Sequence, residues 1–187
     1  MREPSAVLLG SGSPRRRELL EAAGFDVEVR RTGADESWPE DLSANTAVIA
    51  LARRKLEALG PSVQPALTAD TVVFLDERPL NKPVDFKHAA EMLRELSGRA
   101  HEVVTAFCVR KSDGQVVEDA VTTRVWFRPL VDDEIDRYVA TGESMDKAGA
   151  YGIQGVGGAL VDRVEGSYTN VIGLPLAEVV RVLERPA

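Results

Sequence analysis

One short segment constrains this chain more than any other: a glycine- and serine-containing turn, residues 10–17, that ends in three consecutive arginines. A continuous apolar run, residues 6–9, precedes it and is typical of a buried strand. The residues that follow predict a helix, in which Ser13 can cap the N-terminus, Pro14 takes the first helical position and Gly24 ends the helix. The sequence therefore predicts a strand, a turn and a helix near its start.

The turn has the chemistry of an anion-binding site. The first N–H groups of a helix lack intrahelical partners and carry the positive end of its dipole, so three arginines there destabilise the helix unless an anion binds among them. A phosphate would satisfy all three. Two better-known phosphate motifs do not match, because no Gly-Lys-Ser/Thr follows and Arg15 replaces the third glycine of a dinucleotide-binding motif. The alternative is a plain strand-to-helix turn with solvated arginines.

Size and charge limit the class of protein. The chain has 187 residues, of which 44% are hydrophobic and 28% charged, as in ordinary soluble proteins. We expect a single domain over 1–187, or two closely joined lobes with the active cleft between them. A formal net charge of −7 argues against bulk nucleic acid as a partner. The sequence shows no long apolar run and no signal-peptide core, so we expect no membrane partner and a cytoplasmic location.

Cysteine and histidine offer little chemistry in this sequence. Cys108 is the single cysteine, which excludes an intrachain disulfide and a cysteine metal cluster. Its strand-like surroundings predict a small buried hydrophobe. The two histidines, His88 and His101, do not have the spacing of metal ligands on a helix, and we expect structural or surface roles for both.

Strand-like and helix-like segments alternate along the chain. A capped helix is predicted over 43–59, an apolar strand over 66–75, and a further helix that begins at Pro83 or Asp85. Two strand patterns flank an Asp-Gly turn at 112–115, which is typical of a hairpin. This order predicts an α/β fold, a mixed twisted sheet flanked by helices.

A glycine-rich segment covers residues 149–158. Glycine loses more backbone freedom on folding than other residues, so a dense cluster of glycines indicates backbone that passes close to a ligand or to another strand. We therefore expect either a binding loop or a tightly packed crossing at this segment.

Basic and acidic residues elsewhere suit the hydrolysis of a polyphosphate. Arginine and lysine can neutralise phosphates, and carboxylates can hold a Mg²⁺- or Mn²⁺-type cation against them. A carboxylate can also take a proton from an attacking water. The candidates are the basic residues Arg15, Arg16, Lys55 and Lys82 and the acidic residues Asp35, Glu36 and Asp70. Asp35 and Glu36 are adjacent, so in an extended loop their side chains point in opposite directions. The sequence leaves open which of the two is the main metal ligand.

Asp70 is the candidate base, because it interrupts an apolar run in which exclusion of water strengthens a carboxylate as a proton acceptor. A capping carboxylate at the end of a strand is the alternative interpretation of Asp70-Thr71. Glu36 lies in an acidic loop of the kind that is usually solvated. Lys82 precedes Pro83, and a surface turn explains that pair equally well.

The order of these motifs along the chain is more specific than any one of them. The segments concerned are 11–16, 18–20, 35–36, Lys55, 69–72, 82–83, 147–155 and 166–176. Together they resemble the Maf family over nearly the whole chain, from Leu8 to Leu176. Two small departures are Thr68, where the family commonly has glycine, and Asn81, where the family varies.

The resemblance implies a fold similar to the inosine triphosphatase (Maf/Ham1) type. It also implies an enzyme that splits a nucleoside triphosphate into the monophosphate and diphosphate with a divalent metal, Mg²⁺ or Mn²⁺. By motif match, Asp70 is the proton acceptor and shares the metal with Glu36. The substrate-binding residues are then Ser11, Ser13, Arg15, Arg16, Lys55, Thr71, Lys82 and Gln154. On the resemblance alone, a homodimer is a further expectation.

Three positions, Arg16, Thr71 and Gln154, resemble the subgroup that acts on dTTP and UTP rather than the one that acts on 7-methyl-GTP. The amide of Gln154 offers both a donor and an acceptor, as the imide edge of thymine or uracil requires, whereas a glutamate would only accept. A pocket built on paired hydrogen bonds rejects the wrong base strongly. The alternative is that Gln154 merely closes a glycine loop.

Two other functions stay open at this point. One is a pyrophosphatase for 7-methyl-GTP or a modified nucleotide. The other is a regulator of cell division that binds nucleotide without turnover, since the family name derives from inhibition of septum formation. Asp70, Glu36 and Lys82 argue against the regulator, because a protein that only binds could lose the proton acceptor and keep its basic residues.

Overall fold

The computed structural model describes residues 5–39 and 42–184. The strands are β1 (Ala6–Leu9), β2 (Asp26–Val29), β3 (Ala66–Leu75), β4 (Arg78–Leu80), β5 (Ala100–Arg110), β6 (Val116–Phe127) and β7 (Val161–Glu165). The α-helices are α1 (Pro14–Ala22), α2 (Ala44–Leu59), α3 (Phe86–Leu96), α4 (Asp132–Ala140), α5 (Tyr168–Ile172) and α6 (Leu176–Glu184). None of these helices is long and apolar enough to cross a membrane. The first four residues, on which the expectation of no signal peptide rests, lie outside the described residues.

The described strands form one mixed sheet in the order β2-β1-β3-β5-β6-β7, with β4 paired to β3. Strand β1 is parallel to both β2 and β3, whereas β4 is antiparallel to β3 and β7 is antiparallel to β6. Strands β5 and β6 are consecutive neighbours joined by a short turn, as the Asp-Gly pair predicts. The predicted class, an α/β fold with a mixed sheet and flanking helices, is confirmed.

Two helix starts show where local signals held and where they failed. Helix α1 begins at Pro14 with Ser13 in the N-cap position, but the Ser13 side chain makes no capping hydrogen bond, so the expected side-chain cap is wrong. In α3 the Asp85 carboxylate accepts a hydrogen bond of 2.7 Å from the backbone N–H of His88. Asp85, rather than Pro83, therefore opens that helix.

The chain divides into two compact units. The first unit contains the described residues of Met1–Asp70, Thr105–Val121 and Gly173–Ala187. The second unit contains Thr71–Val104 and Thr122–Ile172. Three of the four changes between the units fall inside strands β3, β5 and β6, and the one in β3 falls directly after Asp70. The fourth follows α5.

The first unit has an apolar core built from β1, β3, β5, α1 and α6. Its buried residues are Val7, Leu9, Leu20, Phe25, Leu67, Ala69, Phe107, Val109, Leu174 and Val179. Full burial of a large apolar side chain contributes about 1.5–3 kcal/mol. This core therefore holds the turn after β1 and the stretch of β3 that leads to Asp70 as parts of one packed body.

The second unit contains a buried aromatic cluster of His101, Phe127 and Tyr151. The three rings meet edge to face, with centroids 4.7–5.3 Å apart. Nε2 of His101 lies 2.8 Å from the hydroxyl oxygen of Tyr151. Burial lowers the pKa of His101 to about 4, so the ring is neutral at physiological pH. His101 is thus a core residue, in line with the structural role expected for it.

Cys108 lies in β5 and is completely buried. Burial raises the pKa of its thiol to about 12, with the nearby Glu118 carboxylate adding to the effect. The thiol is therefore protonated at physiological pH and packs as a small apolar side chain, as predicted.

Candidate active site

Two carboxylates meet on one lysine in the first unit. Lys55 on α2 forms an ion pair with Asp70, and its Nζ lies 2.7 Å from Oε1 of Glu36. The side chains of Lys55 and Asp70 are 11% and 16% exposed, whereas that of Glu36 is 62% exposed. The result is a compact charged cluster, closed on the side of α2 and open to solvent at Glu36.

The local folding of α2 and β3 explains why Lys55 and Asp70 meet. Lys55 lies on the buried face of α2, one helical turn beyond Ala52. The hydroxyl of Thr68 donates a hydrogen bond of 2.7 Å to the carbonyl of Ala52. Because alternate residues of a strand share a face, Thr68 and Asp70 both point toward α2. The helix and the strand therefore contact each other twice, through the hydrogen bond of Thr68 and then through the ion pair of Asp70.

The adjacent carboxylates Asp35 and Glu36 have different tasks. The Asp35 carboxylate accepts hydrogen bonds of 2.9 Å and 2.7 Å from the N–H and the hydroxyl of Ser37. These bonds lower the pKa of Asp35. The Ser37 carbonyl accepts a hydrogen bond of 2.8 Å from Nη1 of Arg54, the residue before Lys55. Asp35 therefore shapes the loop, and Glu36 is the carboxylate that reaches Lys55.

The turn after β1 is joined to β3 through Arg16. Nη1 of Arg16 donates to the Ser11 hydroxyl at 3.0 Å and to the Ala69 carbonyl at 2.8 Å. Its Nε donates to the Gly173 carbonyl at 2.8 Å. The Ser11 hydroxyl also accepts from the N–H of Ser13 at 3.2 Å. Arg16 thus holds three distant parts of the chain together, directly beside Asp70.

Arg16 is a buried guanidinium, only 9% exposed. Burial lowers the pKa of Arg16, and the charges of Asp70 and Glu36 oppose that effect while Arg15 adds to it. An arginine stays protonated in proteins, so the net result is a permanent positive charge beside the carboxylates. Such a charge favours a further anion at this end of the strand.

The three consecutive arginines lie in different surroundings. Successive helical residues are rotated by about 100°, so the three side chains leave the helix in different directions. Arg16 is buried, whereas Arg17 is exposed and forms an ion pair of 2.6 Å with Glu21 one turn along α1. The expectation that one phosphate satisfies all three arginines is therefore wrong for Arg17.

Gly10 allows the turn to approach β3. A Cβ atom at this position would lie 2.6 Å from Cγ2 of Thr68 and 3.1 Å from Cδ2 of Leu59. Both neighbours are buried, and the Thr68 hydroxyl is committed to Ala52. Only a residue without a side chain therefore brings Ser11 this close to the strand that carries Asp70.

Three of the predicted site residues belong to the second unit. Thr71 follows Asp70 in β3, Lys82 is exposed just after β4, and Gln154 is exposed in the glycine-rich segment. The N–H of Gly149 donates a hydrogen bond of 3.3 Å to the carbonyl of Asn81, the neighbour of Lys82. The start of the glycine-rich segment thus contacts the residues around Lys82 within this unit.

The remaining predicted residues, Ser11, Ser13, Arg15, Arg16, Glu36, Lys55 and Asp70, all belong to the first unit. Sequence reasoning missed the carbonyl groups of Ala69 and Gly173, which hold Arg16 in place. Every residue has a backbone carbonyl, so no residue type could have revealed these two acceptors.

The oxygen donors of this cluster fit a small divalent cation. Mg²⁺ is usually held by one or two carboxylates, and substrate phosphates and water complete its shell. Glu36 and Asp70 supply such a pair and converge on one positive charge, that of Lys55. Within residues 5–39 and 42–184, no group of three or more His, Cys, Asp or Glu side chains could hold a metal. Glu36 and Asp70 are therefore the residues of this cluster that could hold such a cation.

The mixed sheet flanked by helices has the fold of the HAM1 proteins. The chain superposes on a HAM1 protein from Coxiella burnetii with a TM-score of 0.50, over 96% of this chain and 98% of that one. The two sequences are only 14% identical, so the likeness concerns the fold alone. The predicted fold type is confirmed.

Within that class, the chain belongs to the Maf family, because the family model described as Maf-like protein matches residues 6–186. The chain is 49% identical over 183 residues to a dTTP/UTP pyrophosphatase from Anaeromyxobacter sp., covering 96% of this chain and 88% of the relative. It is 44% identical over 188 residues to a dTTP/UTP pyrophosphatase from Bdellovibrio bacteriovorus, covering 96% and 98%. The predictions of this family and of an enzyme of the hydrolase class are confirmed.

Proposed function

We propose that this protein hydrolyses dTTP and UTP to the nucleoside monophosphate and diphosphate. The observation that carries the proposal is the convergence of Glu36 and Asp70 on Lys55, next to the turn that Arg16 ties to β3. The names of the two relatives support the same reaction and substrate class.

The positive groups of the first unit would bind the phosphates. Lys55 carries its charge in a largely buried position, where attraction to an anion is stronger than in water. The Ser11 hydroxyl accepts two hydrogen bonds and can donate its own hydrogen to a phosphate oxygen. Arg15 and Ser13 lie on the same turn. The buried side chain of Arg16 adds a further positive charge. By motif match, we assign Thr71 and Lys82 to the phosphates as well.

Asp70 is the residue that we assign as the general base. We place the attack of the water oxygen on the α-phosphorus. The bond from that phosphorus to the oxygen bridging the α- and β-phosphates then breaks, and that oxygen leaves with the diphosphate. The Asp70 carboxylate would accept the proton of that water, a role that typically contributes about 10²–10⁴-fold in rate. Its ion pair with Lys55 and the Arg16 bond to Ala69 fix the carboxylate relative to the phosphate-binding turn.

Glu36 and Asp70 would hold the divalent cation, Mg²⁺ or Mn²⁺, by their carboxylate oxygens. When bound, such an ion neutralises phosphate charge. Glu36 is exposed and can turn toward an arriving ion, while Asp70 stays fixed by Lys55. We assign Gln154 to the base, because its amide can pair with the imide edge shared by thymine and uracil.

The test is diphosphate release from dTTP, UTP, CTP, GTP and 7-methyl-GTP, with Mg²⁺ or Mn²⁺. The proposal expects turnover of dTTP and UTP in the wild type, its loss in Asp70→Asn, and its retention in Asp26→Asn, an exposed aspartate of β2. Release from 7-methyl-GTP alone would show the other base specificity. Nucleotide binding without any diphosphate would show a binding protein instead.

A further inference from the structure

The loop over residues 152–157 is tied at both ends to a single pair of side chains. At its start, the N–H of Gly152 donates a hydrogen bond of 3.1 Å to the hydroxyl of Tyr138. That hydroxyl donates in turn to Oε1 of Glu143 at 3.1 Å. The exposed Gln154 lies between the two ends.

The far end of the loop is bound by the same carboxylate. Oε2 of Glu143 accepts a hydrogen bond of 3.2 Å from the N–H of Val156, and Oε1 accepts one of 3.2 Å from the N–H of Gly157. Hydrogen bonds to an ionised carboxylate are stronger than those between neutral groups. Glu143 and Tyr138 together therefore hold the two ends of the loop, and we call this pair of side chains the clasp.

The ends of the loop also pack against each other with no room for a side chain. A Cβ atom on Gly157 would lie 2.2 Å from the carbonyl oxygen of Gly152 and 2.7 Å from the Tyr138 hydroxyl. Gly155 has a φ of 67°, which an L side chain rarely adopts, and its Cβ would lie 3.0 Å from Oε2 of Glu143. The close approach that the glycines predict is thus made between parts of the loop and its clasp.

Further hydrogen bonds hold the two residues of the clasp in place. Tyr138 is 3% exposed at the end of α4, and burial raises the pKa of its phenol, so the group is a neutral donor to Glu143. The Thr141 hydroxyl accepts from the N–H of Glu143 at 3.1 Å and donates to the Tyr138 carbonyl at 2.6 Å. Nζ of Lys147 donates to the Glu143 carbonyl at 2.6 Å. The backbone that carries the carboxylate is therefore held from both sides.

We infer that Glu143 and Tyr138 are positioning residues for base specificity, acting through Gln154. They hold the loop in one conformation before the nucleotide binds, so Gln154 reaches the base with little loss of conformational entropy. The inference rests on the proposed function, since it depends on the assignment of Gln154 to the base. No sequence signal singled out either residue.

The test compares kcat and KM for UTP and CTP in Glu143→Ala, Glu143→Gln and Tyr138→Phe. We expect Glu143→Ala to lower kcat/KM for UTP by about tenfold or more, mainly through KM, and to reduce the preference for UTP over CTP. Glu143→Gln keeps the shape and one acceptor and should restore part of the preference. Glu91→Ala, an exposed glutamate on α3, is the matched control and should leave both constants unchanged.

A double-mutant cycle with Gln154→Ala separates positioning from general stability. If Glu143 acts through Gln154, adding Glu143→Ala to Gln154→Ala should lower kcat/KM for UTP by less than threefold. Equal losses for UTP and CTP, together with multiplicative effects in the double variant, would overturn the inference. If Glu143→Ala does not fold, the same comparison is made with Glu143→Gln.

Amide hydrogen exchange keeps this inference distinct from the proposed function. Loss of the clasp should speed exchange at the N–H groups of Val156 and Gly157 in Glu143→Gln, whether or not the protein turns over nucleotide. Unchanged exchange in an enzyme that hydrolyses UTP would overturn the clasp alone. Absence of diphosphate release from the wild type would overturn the proposed function, even with faster exchange in the variant.

Discussion

Arg16 donates a hydrogen bond of 2.8 Å from Nη1 to the backbone carbonyl of Ala69, the residue directly before Asp70. The same nitrogen donates to the Ser11 hydroxyl, so one guanidinium links the turn after β1 to the strand that carries the candidate base. The candidate phosphate-binding turn and the candidate base are thereby joined by direct hydrogen bonds, the kind of fixed geometry that efficient catalysis requires.

Replacing Arg16 by lysine should reduce both stability and turnover. Lysine keeps the charge but cannot reach Ala69, Ser11 and Gly173 together, and each buried carbonyl left without a donor costs about 1–3 kcal/mol. Urea unfolding and diphosphate release measure the two effects. Arg17→Lys, at an exposed ion pair, should change the free energy of unfolding by less than about 1 kcal/mol. Equal stability of the two variants would contradict the role of Arg16.

Asp70→Asn should lower kcat by about a hundredfold or more while nucleotide binding is largely retained. The amide has nearly the shape of the carboxylate but cannot accept the proton of the attacking water. Single-turnover kinetics measures the rate, and calorimetry with a non-hydrolysable dTTP analogue measures affinity. A variant with nearly the wild-type rate would remove Asp70 from the role of base.

Gln154→Glu should weaken hydrolysis of dTTP and UTP far more than it weakens folding. Glutamate offers only acceptors to the imide N–H and the carbonyl oxygens of the base, so the carbonyl partner is lost. The side chain is exposed, and we expect the free energy of unfolding to change by less than about 0.5 kcal/mol. Comparison of kcat/KM for UTP and CTP, with thermal unfolding in parallel, is the measurement. An unchanged preference between the two bases would refute the role of Gln154.

Gly10→Ala should destabilise the protein by about 1–3 kcal/mol, because the added Cβ collides with Cγ2 of Thr68. Thr68→Ser removes that methyl group and keeps the hydroxyl that bonds to Ala52. The double variant should therefore recover part of the lost stability, as measured by urea unfolding of both single variants and the pair. Strictly additive losses would show that Leu59, and not Thr68, sets the limit at this position.

Stability should fall as the pH falls from about 6.5 to 4, in part because of His101. Burial lowers the pKa of His101 to about 4 in the folded protein, whereas the unfolded chain binds this proton near pH 6.5. Below pH 6.5 the unfolded state therefore binds more protons than the folded state. The free energy of unfolding falls by about 3 kcal/mol between pH 6.5 and pH 4 for this reason. Chemical unfolding across that pH range should show a shallower slope in His101→Phe than in the wild type. His88→Gln serves as the control, and a wild-type slope in His101→Phe would contradict the assignment.

Several local elements follow directly from the order of residues. The apolar strand predicted over 66–75 coincides with β3, and α2 ends directly before Gly60, whose φ is 74°. The Asp85 cap opens α3, and the turn at 112–115 joins β5 to β6. Each of these features depends on residues within a few positions of one another, which is why periodicity and turn chemistry predict them. The family also follows from motifs that can be read in order along the chain.

The contacts that build the candidate site were decided by tertiary structure. Arg16 is bonded to a carbonyl 157 positions away, and the choice of Glu36 over Asp35 depends on which side of the loop faces α2. Glu143 meets the glycine-rich loop only because α4 ends beside it. Backbone acceptors are common to every residue, and the direction of a side chain depends on packing between segments far apart in the chain. The sequence alone therefore determined the elements, the family and the charged residues available, whereas packing decided which of those charges meet.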